Sequence, residues 1–141
     1  MRIVDCFEQG LLKQDRSDLK KSLASIDRGS RKLNEANRLL AAGFSEEAVL
    51  YAYTAMFHAG RALLYRDGVK ENSHYGLFVY LKERYGTLLE ARFMSELDAL
   101  RQERHELMYG LESRKYSALE VQDVLKVAND FCRAIQDLIK K

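Results

Sequence analysis

Thirteen consecutive residues without a charge, Ala48 to Gly60, dominate the middle of the chain. Read as part of a helix, this segment is apolar on nearly every side. Small residues form one stripe (Ala48, Ala52, Ala55, Ala59, Ala62), and bulky ones form another (Val49, Tyr53, Met56, Leu63). A helix without a polar face has to be enclosed by several neighbours. The alanine stripe lets one of them approach closely. The run is too short to cross a bilayer, which takes about 20 apolar residues. It therefore predicts the central helix of an all-α bundle. Ser45 is expected to cap that helix, with Glu46 and Glu47 in the first turn, and Asp67-Gly68 to end it.

The rest of the sequence supplies the neighbours. The 141 residues include no proline, which argues against a loop-rich β-sandwich. Hydrophobic residues make up 47% and charged residues 31%, the composition of one globular domain spanning 1–141. Ile3 to Leu12 reads as a short leading helix. Ser17 starts a longer one, with an apolar seam of Leu19, Leu23, Ile26, Ser30, Leu33, Asn37 and Leu40 and with Gly43 just past its end. Val69 to Asn72 is a polar connection, and Ser73 caps a short helix that ends at Tyr85-Gly86. Thr87 with Glu90, and Ser117 with Glu120, have capping-box spacing. The first pair opens a helix from Leu88 to about Tyr109, stopped by Gly110. The second opens a helix carrying Val121, Val124, Ala128, Phe131, Ile135 and Leu138. No segment alternates apolar and polar residues between turn signals, so no strand is expected. The expected architecture is an up-and-down four-helix bundle with an additional short helix between the second and third long ones.

Charge and cysteines exclude several classes. Lys and Arg number 23 against 21 Asp and Glu, for a net charge of +2. A DNA-wrapping protein would carry a larger basic excess, although a local phosphate site is compatible with this balance. Cys6 and Cys132 lie near opposite ends with no Cys/His cluster, so no structural metal or cofactor is expected. Reduced thiols suit a cytoplasmic protein. Asp5 and Glu8 interrupt the segment where a signal peptide would be apolar.

One helix breaks its own pattern. Its seam reads Phe93, Leu97, Leu100, Arg104, Leu107, Leu111, so Arg104 occupies a place that the spacing reserves for an apolar side chain. A buried guanidinium needs a partner. An internal salt bridge, snorkelling, or support of the helix dipole together with Arg101 and His105 would supply a structural answer. An external anion, above all a phosphate matched by the guanidinium fork, would supply a functional one. His58 and Arg61 lie within the most apolar helix, and His74 follows the capping Ser73. His58 reads either as a hydrogen-bonded core histidine or as part of a site, and His74 as a cap or a ligand-binding imidazole.

Three segments together carry a resemblance: AYTAMFHAGRALLY (52–65), GVKENSHYGL (68–77) and RQERHELMYG (101–110). With them the chain resembles the HEPN family, most closely its small stand-alone prokaryotic and archaeal branch. The resemblance implies a helical bundle that forms a two-fold homodimer, with a cleft lined by an Arg, a following polar residue and a His. It implies either metal-independent endoribonuclease activity or binding of nucleotide or RNA. It also implies pairing with a minimal nucleotidyltransferase as toxin and antitoxin. Arg104 matches the motif arginine and His105 the polar residue after it, whereas Tyr109 stands where the motif has His. A tyrosine, with a pKa of about 10, is a poor general base at neutral pH. The primary expectation is a module that binds a nucleotide or RNA phosphate through Arg104, Tyr109, Arg101, His74, His58 and Arg61. An active nuclease is the first alternative, with Arg104 on the phosphate and His105 or Tyr109 handling protons. A dimerisation scaffold is the second.

Overall fold

The computed structural model describes residues 1–111 and 115–140. In chain order these form α1 (Ile3–Glu8), β1 (Leu12–Gln14), α2 (Leu19–Ala41), α3 (Ser45–Asp67), β2 (Val69–Glu71), α4 (His74–Tyr85), α5 (Ala91–Tyr109) and α6 (Ala118–Lys140). The apolar run belongs to α3, and α3 is the hub. All five alanines of its small stripe are buried. α2 runs antiparallel along that stripe and comes close because its facing residues are small. A Cβ added to Gly29 would lie 3.0 Å from the Ala55 carbonyl oxygen. Ser22 and Ser25 are buried beside it and donate to the carbonyls of Ala62 and His58 at 2.7 and 2.6 Å. Their hydroxyls are thereby satisfied without polar side chains opposite.

α6 runs parallel to α3. Its Cys132 thiol faces the Ala55 carbonyl, and its Leu138 carbonyl accepts from Arg66. α5 runs antiparallel to α6, tied at one end by Arg92 to Asp130 and at the other by Tyr116 to Glu103. Phe93 and Phe131 meet edge-on between these two helices. The four long helices thus alternate in direction, and α4 is the additional short helix. Both cysteines are buried free thiols, and burial pushes Cys132 up to about 12.

Several local expectations give way. The α2 seam is wrong in its first half: Leu19 and Leu23 are more than half exposed, and Ser22, Ser25 and Gly29 are buried instead. The tight alanine surface of α3 has no room for leucines at that crossing. Two strands form where none was expected. β1 pairs antiparallel with β2 in the register Leu12↔Glu71, Lys13↔Lys70, Gln14↔Val69. α1 stops at Glu8, short of Leu12, and Gly10 turns the chain at φ +75°. Asp18 rather than Ser17 caps α2, through Lys21 N–H at 2.9 Å, while Ser17 donates to the Arg66 carbonyl. Ser45 is the first helical residue of α3 and Phe44 occupies its N-cap position. The Thr87–Glu90 box does not form: Leu88 and Leu89 donate to the Tyr85 carbonyl, and α5 begins at Ala91. Ser117 does accept from Glu120 N–H at 3.1 Å.

Candidate functional site

The site starts from the β1–β2 ladder, because that ladder fixes where α4 begins. Asn72 donates its backbone N–H to the Leu11 carbonyl at 2.9 Å and its side-chain amide to the Gly10 carbonyl at 3.1 Å. Ser73 then caps α4, its hydroxyl accepting from Gly76 N–H at 2.9 Å. A Cβ at Gly76 would lie 2.6 Å from the Leu11 carbonyl oxygen, so glycine permits the close packing of this corner. His74, in the first turn, is held over α3. There Tyr53, Phe57 and Arg61 follow one another at four-residue intervals and share a face. The His74 ring stacks on Phe57 with centroids 4.3 Å apart, and its Nδ1 lies 2.7 Å from the Tyr53 hydroxyl.

Cations surround this imidazole. Arg61 Nε is 2.6 Å from Glu71 Oε1, without the alignment of a hydrogen bond, and the guanidinium lies above the rings of Phe57 and Tyr65. Phe57, Arg61, Glu71, Asn72, Ser73 and His74 line an open hollow of about 420 Å³. From α5, Arg101 places two guanidinium nitrogens on one oxygen of Asp98 and stands 5.1 Å from the Tyr75 ring centroid. Arg104 is half-buried and, among the described residues, makes neither an ion pair nor a hydrogen bond. Among the described residues, the internal salt bridge that would explain it structurally is not formed.

The electrostatics follow from this crowding. Burial brings His74 down to about 4, and Arg104, Arg101 and Arg61, in that order, act in the same direction. Burial carries Tyr53 up to about 12 against the pull of Arg104 and Arg101. At neutral pH the imidazole is therefore uncharged and the phenol holds its proton. The neutral imidazole has two tautomers here: when the Tyr53 hydroxyl donates to Nδ1 the ring proton sits on Nε2 and faces a ligand as a donor, and when Nδ1–H donates to the hydroxyl Nε2 is left as an acceptor. A half-buried cation without a counter-ion, a neutral donor and an aromatic floor form a receptor for an anion that carries a planar group.

The fold brings together Arg104, Arg101, Arg61 and His74. It separates His58, which lies on the other flank of α3 toward α2. His58 is also held near 4, by burial first and then by Arg28, Arg61 and Lys32. His105 and Tyr109 are exposed and face each other, ring centroids 5.2 Å apart. Tyr109 lies five positions beyond Arg104, about 140° round the helix axis. Tyr53, which the sequence places on the bulky stripe of the core, and Phe57, which the sequence does not single out, both touch the His74 ring. The signal that marks them is the Tyr53–Phe57–Arg61 spacing, an aromatic stripe ending in a cation. Among the described residues, no group of three His, Cys, Asp or Glu side chains is placed to hold a metal ion. Nor is any helix long and apolar enough to cross a membrane.

The HEPN domain family matches residues 22–138 of the chain, a span that includes every site residue named above. No curated protein matches the chain significantly.

Proposed function

The chain belongs to the HEPN domain family, and on that premise we propose that it binds a nucleotide or RNA phosphate at Arg104. The observation that carries this reading is a half-buried guanidinium with no internal partner beside the neutral His74 ring. A phosphate there offsets the mutual repulsion of Arg104, Arg101 and Arg61, accepts from His74 Nε2–H, and leaves a base or ribose to lie against Phe57. Such charge-assisted contacts are worth more in a half-buried site than in open water. The test is fluorescence anisotropy with an end-labelled single-stranded RNA. Arg104→Ala weakens binding about tenfold, the loss of one good charge-assisted contact. Its unfolding midpoint in urea stays at the wild-type value. Unchanged affinity together with a large loss of stability would mean that Arg104 is structural.

The same geometry favours a second reading, metal-independent cleavage of RNA. That chemistry needs a base for the attacking 2′-hydroxyl, a cation on the phosphate and an acid for the leaving 5′-oxygen, and an imidazole that takes the first proton can return it to that oxygen. His74 and Arg104 sit in one cluster, and His74 serves as the base in the tautomer whose Nδ1–H donates to the Tyr53 hydroxyl, with Nε2 free to take the 2′-hydroxyl proton. Digestion of RNA in EDTA by the wild type, abolished in both Arg104→Ala and His74→Gln, supports this reading. An absence of Arg104-dependent products removes it.

The assembly proposed with this function is a homodimer of one HEPN-like domain spanning 1–141. Met108, Tyr109, Leu111 and Leu119 are exposed apolar side chains at the end of α5 and the start of α6, and they offer a second copy a surface close to Arg104 in sequence. Light scattering on the full chain tests it. Family membership supports a minimal nucleotidyltransferase as the antitoxin partner in the cytoplasm, to be tested by co-purification of the two chains.

A further inference from the structure

A second concavity lies between α2 and α3, on the flank of α3 opposite His74. It holds about 440 Å³ and is lined by Lys21, Arg28, Arg31, His58, Arg61 and Tyr65, with Ala24 and Ser25 as its floor; no carboxylate faces it. This one-sidedness is unusual for the chain. α2 carries six basic residues and only two acidic ones, although the net charge of the whole protein is +2. Among the described residues, two of the four cations are ion-paired, Arg61 with Glu71 and Arg31 with Asp27, and two are not. Arg28 makes no ion pair among the described residues. Lys21 stands 5.9 Å from the Tyr65 ring centroid. Arg31 pairs only with the exposed Asp27, a contact worth little in water. The small residues that let α2 approach α3 also leave the long basic side chains standing at the rim of the groove. From Lys21 to Arg31 the rim extends about 15 Å along the helix, room for more than one phosphate.

Arg61 lines both hollows. It therefore links the groove to the site that contains His74, across the face of α3. We propose that the α2–α3 groove is a second phosphate-binding track, and that the ligand is a single-stranded RNA whose backbone passes from Arg104 and His74 over Arg61 to Arg28 and Arg31. The inference rests on phosphate binding at Arg104 and extends it: a mononucleotide fills only the first site, whereas an oligonucleotide fills both. His58, uncharged at neutral pH, contributes a hydrogen bond rather than a charge. Tyr65 offers a ring against which one base can stack.

The experiment compares a 5′-labelled single-stranded RNA of about twelve nucleotides with a labelled mononucleotide, measured by anisotropy at several salt concentrations. The double variant Arg28→Gln, Arg31→Gln changes only exposed side chains and keeps the wild-type melting temperature. It binds the oligonucleotide about tenfold more weakly and lowers the salt slope by about 1.4, the value for two lost single-strand phosphate contacts. Its affinity for the mononucleotide is unchanged. Arg104→Gln weakens both ligands. Wild-type affinity and slope for the oligonucleotide in the double variant overturn the second track while leaving the Arg104 site standing. Loss of oligonucleotide binding in the double variant, with Arg104→Gln unaffected, keeps the groove and removes the first site. A wild-type protein that binds neither ligand overturns both.

Discussion

Two arginines on neighbouring parts of the bundle have opposite fates. Arg66, near the end of α3, is used up inside the protein. It donates to the Leu138 carbonyl and to the Tyr85 hydroxyl, each at 3.0 Å, and lies beside Asp67. Asp67 in turn accepts from Tyr80 at 2.8 Å and from Tyr85. Every polar group in this knot has a partner, and the knot holds α3, α4 and α6 together. Arg104 has comparable burial and no such partners. A cation of the first kind stabilises a fold, and one of the second kind awaits something from outside. Burial alone does not separate the two; the inventory of partners does.

The contrast breaks most readily at Asp67. Asp67→Ala strips an acceptor from two tyrosines and a counter-charge from Arg66, and unfolding stability falls by about 3 kcal/mol. For a chain of this size the melting temperature drops by roughly 6–12 °C. A drop of less than about 1 °C would make the knot ornamental. Arg104→Ala is the counterpart: stability within about 0.5 kcal/mol of wild type, and RNA affinity reduced as described above. In the same variant the His74 resonance titrates at higher pH by NMR, because Arg104 is the foremost of the three charges that hold it down.

Acid sharpens the comparison. His58 and His74 hold their protons only near pH 4 in the folded chain, against about 6.5 unfolded. In that window the unfolded state binds more protons. Stability is thus complete above pH 6.5 and declines as the pH falls toward 4. RNA affinity moves the other way. A bound phosphate offsets the arginine charges and raises the His74 pKa, so the complex takes up a proton and tightens severalfold between pH 7 and 5. His74→Gln abolishes that gain, and a gain that survives the substitution assigns it to another group. The smallest effect belongs to Tyr109→Phe, which leaves RNA affinity within about twofold, or 0.4 kcal/mol, because Tyr109 faces His105 rather than Arg104.

The bundle is readable in the sequence because the apolar periodicity of each long helix marks its extent, although the starts of α2, α3 and α5 fall one to three residues from those expected. The Ser73 cap, the alanine stripe and the misfit at Arg104 all lie in short stretches of chain. What escaped depends on two stretches at once. Leu19 and Leu23 look like core until the alanine surface of α3 selects Ser22, Ser25 and Gly29 in their place. The strands are three residues each and pair across more than fifty positions, too short for alternation to register. Tyr53 reads as packing and Phe57 carries no signal of its own, since only the placement of α4 sets an imidazole on top of them.

That placement has a consequence for where control over the chemistry resides. The imidazole is seated by Gly10, Leu11 and the β1 strand, all of which precede the first residue of the family match at 22. That N-terminal clamp also buries Cys6 and Leu12 in the core, so its loss would cost stability as well as the bearing of the His74 ring. One short segment thus serves packing and recognition together, and a change in it is felt in both.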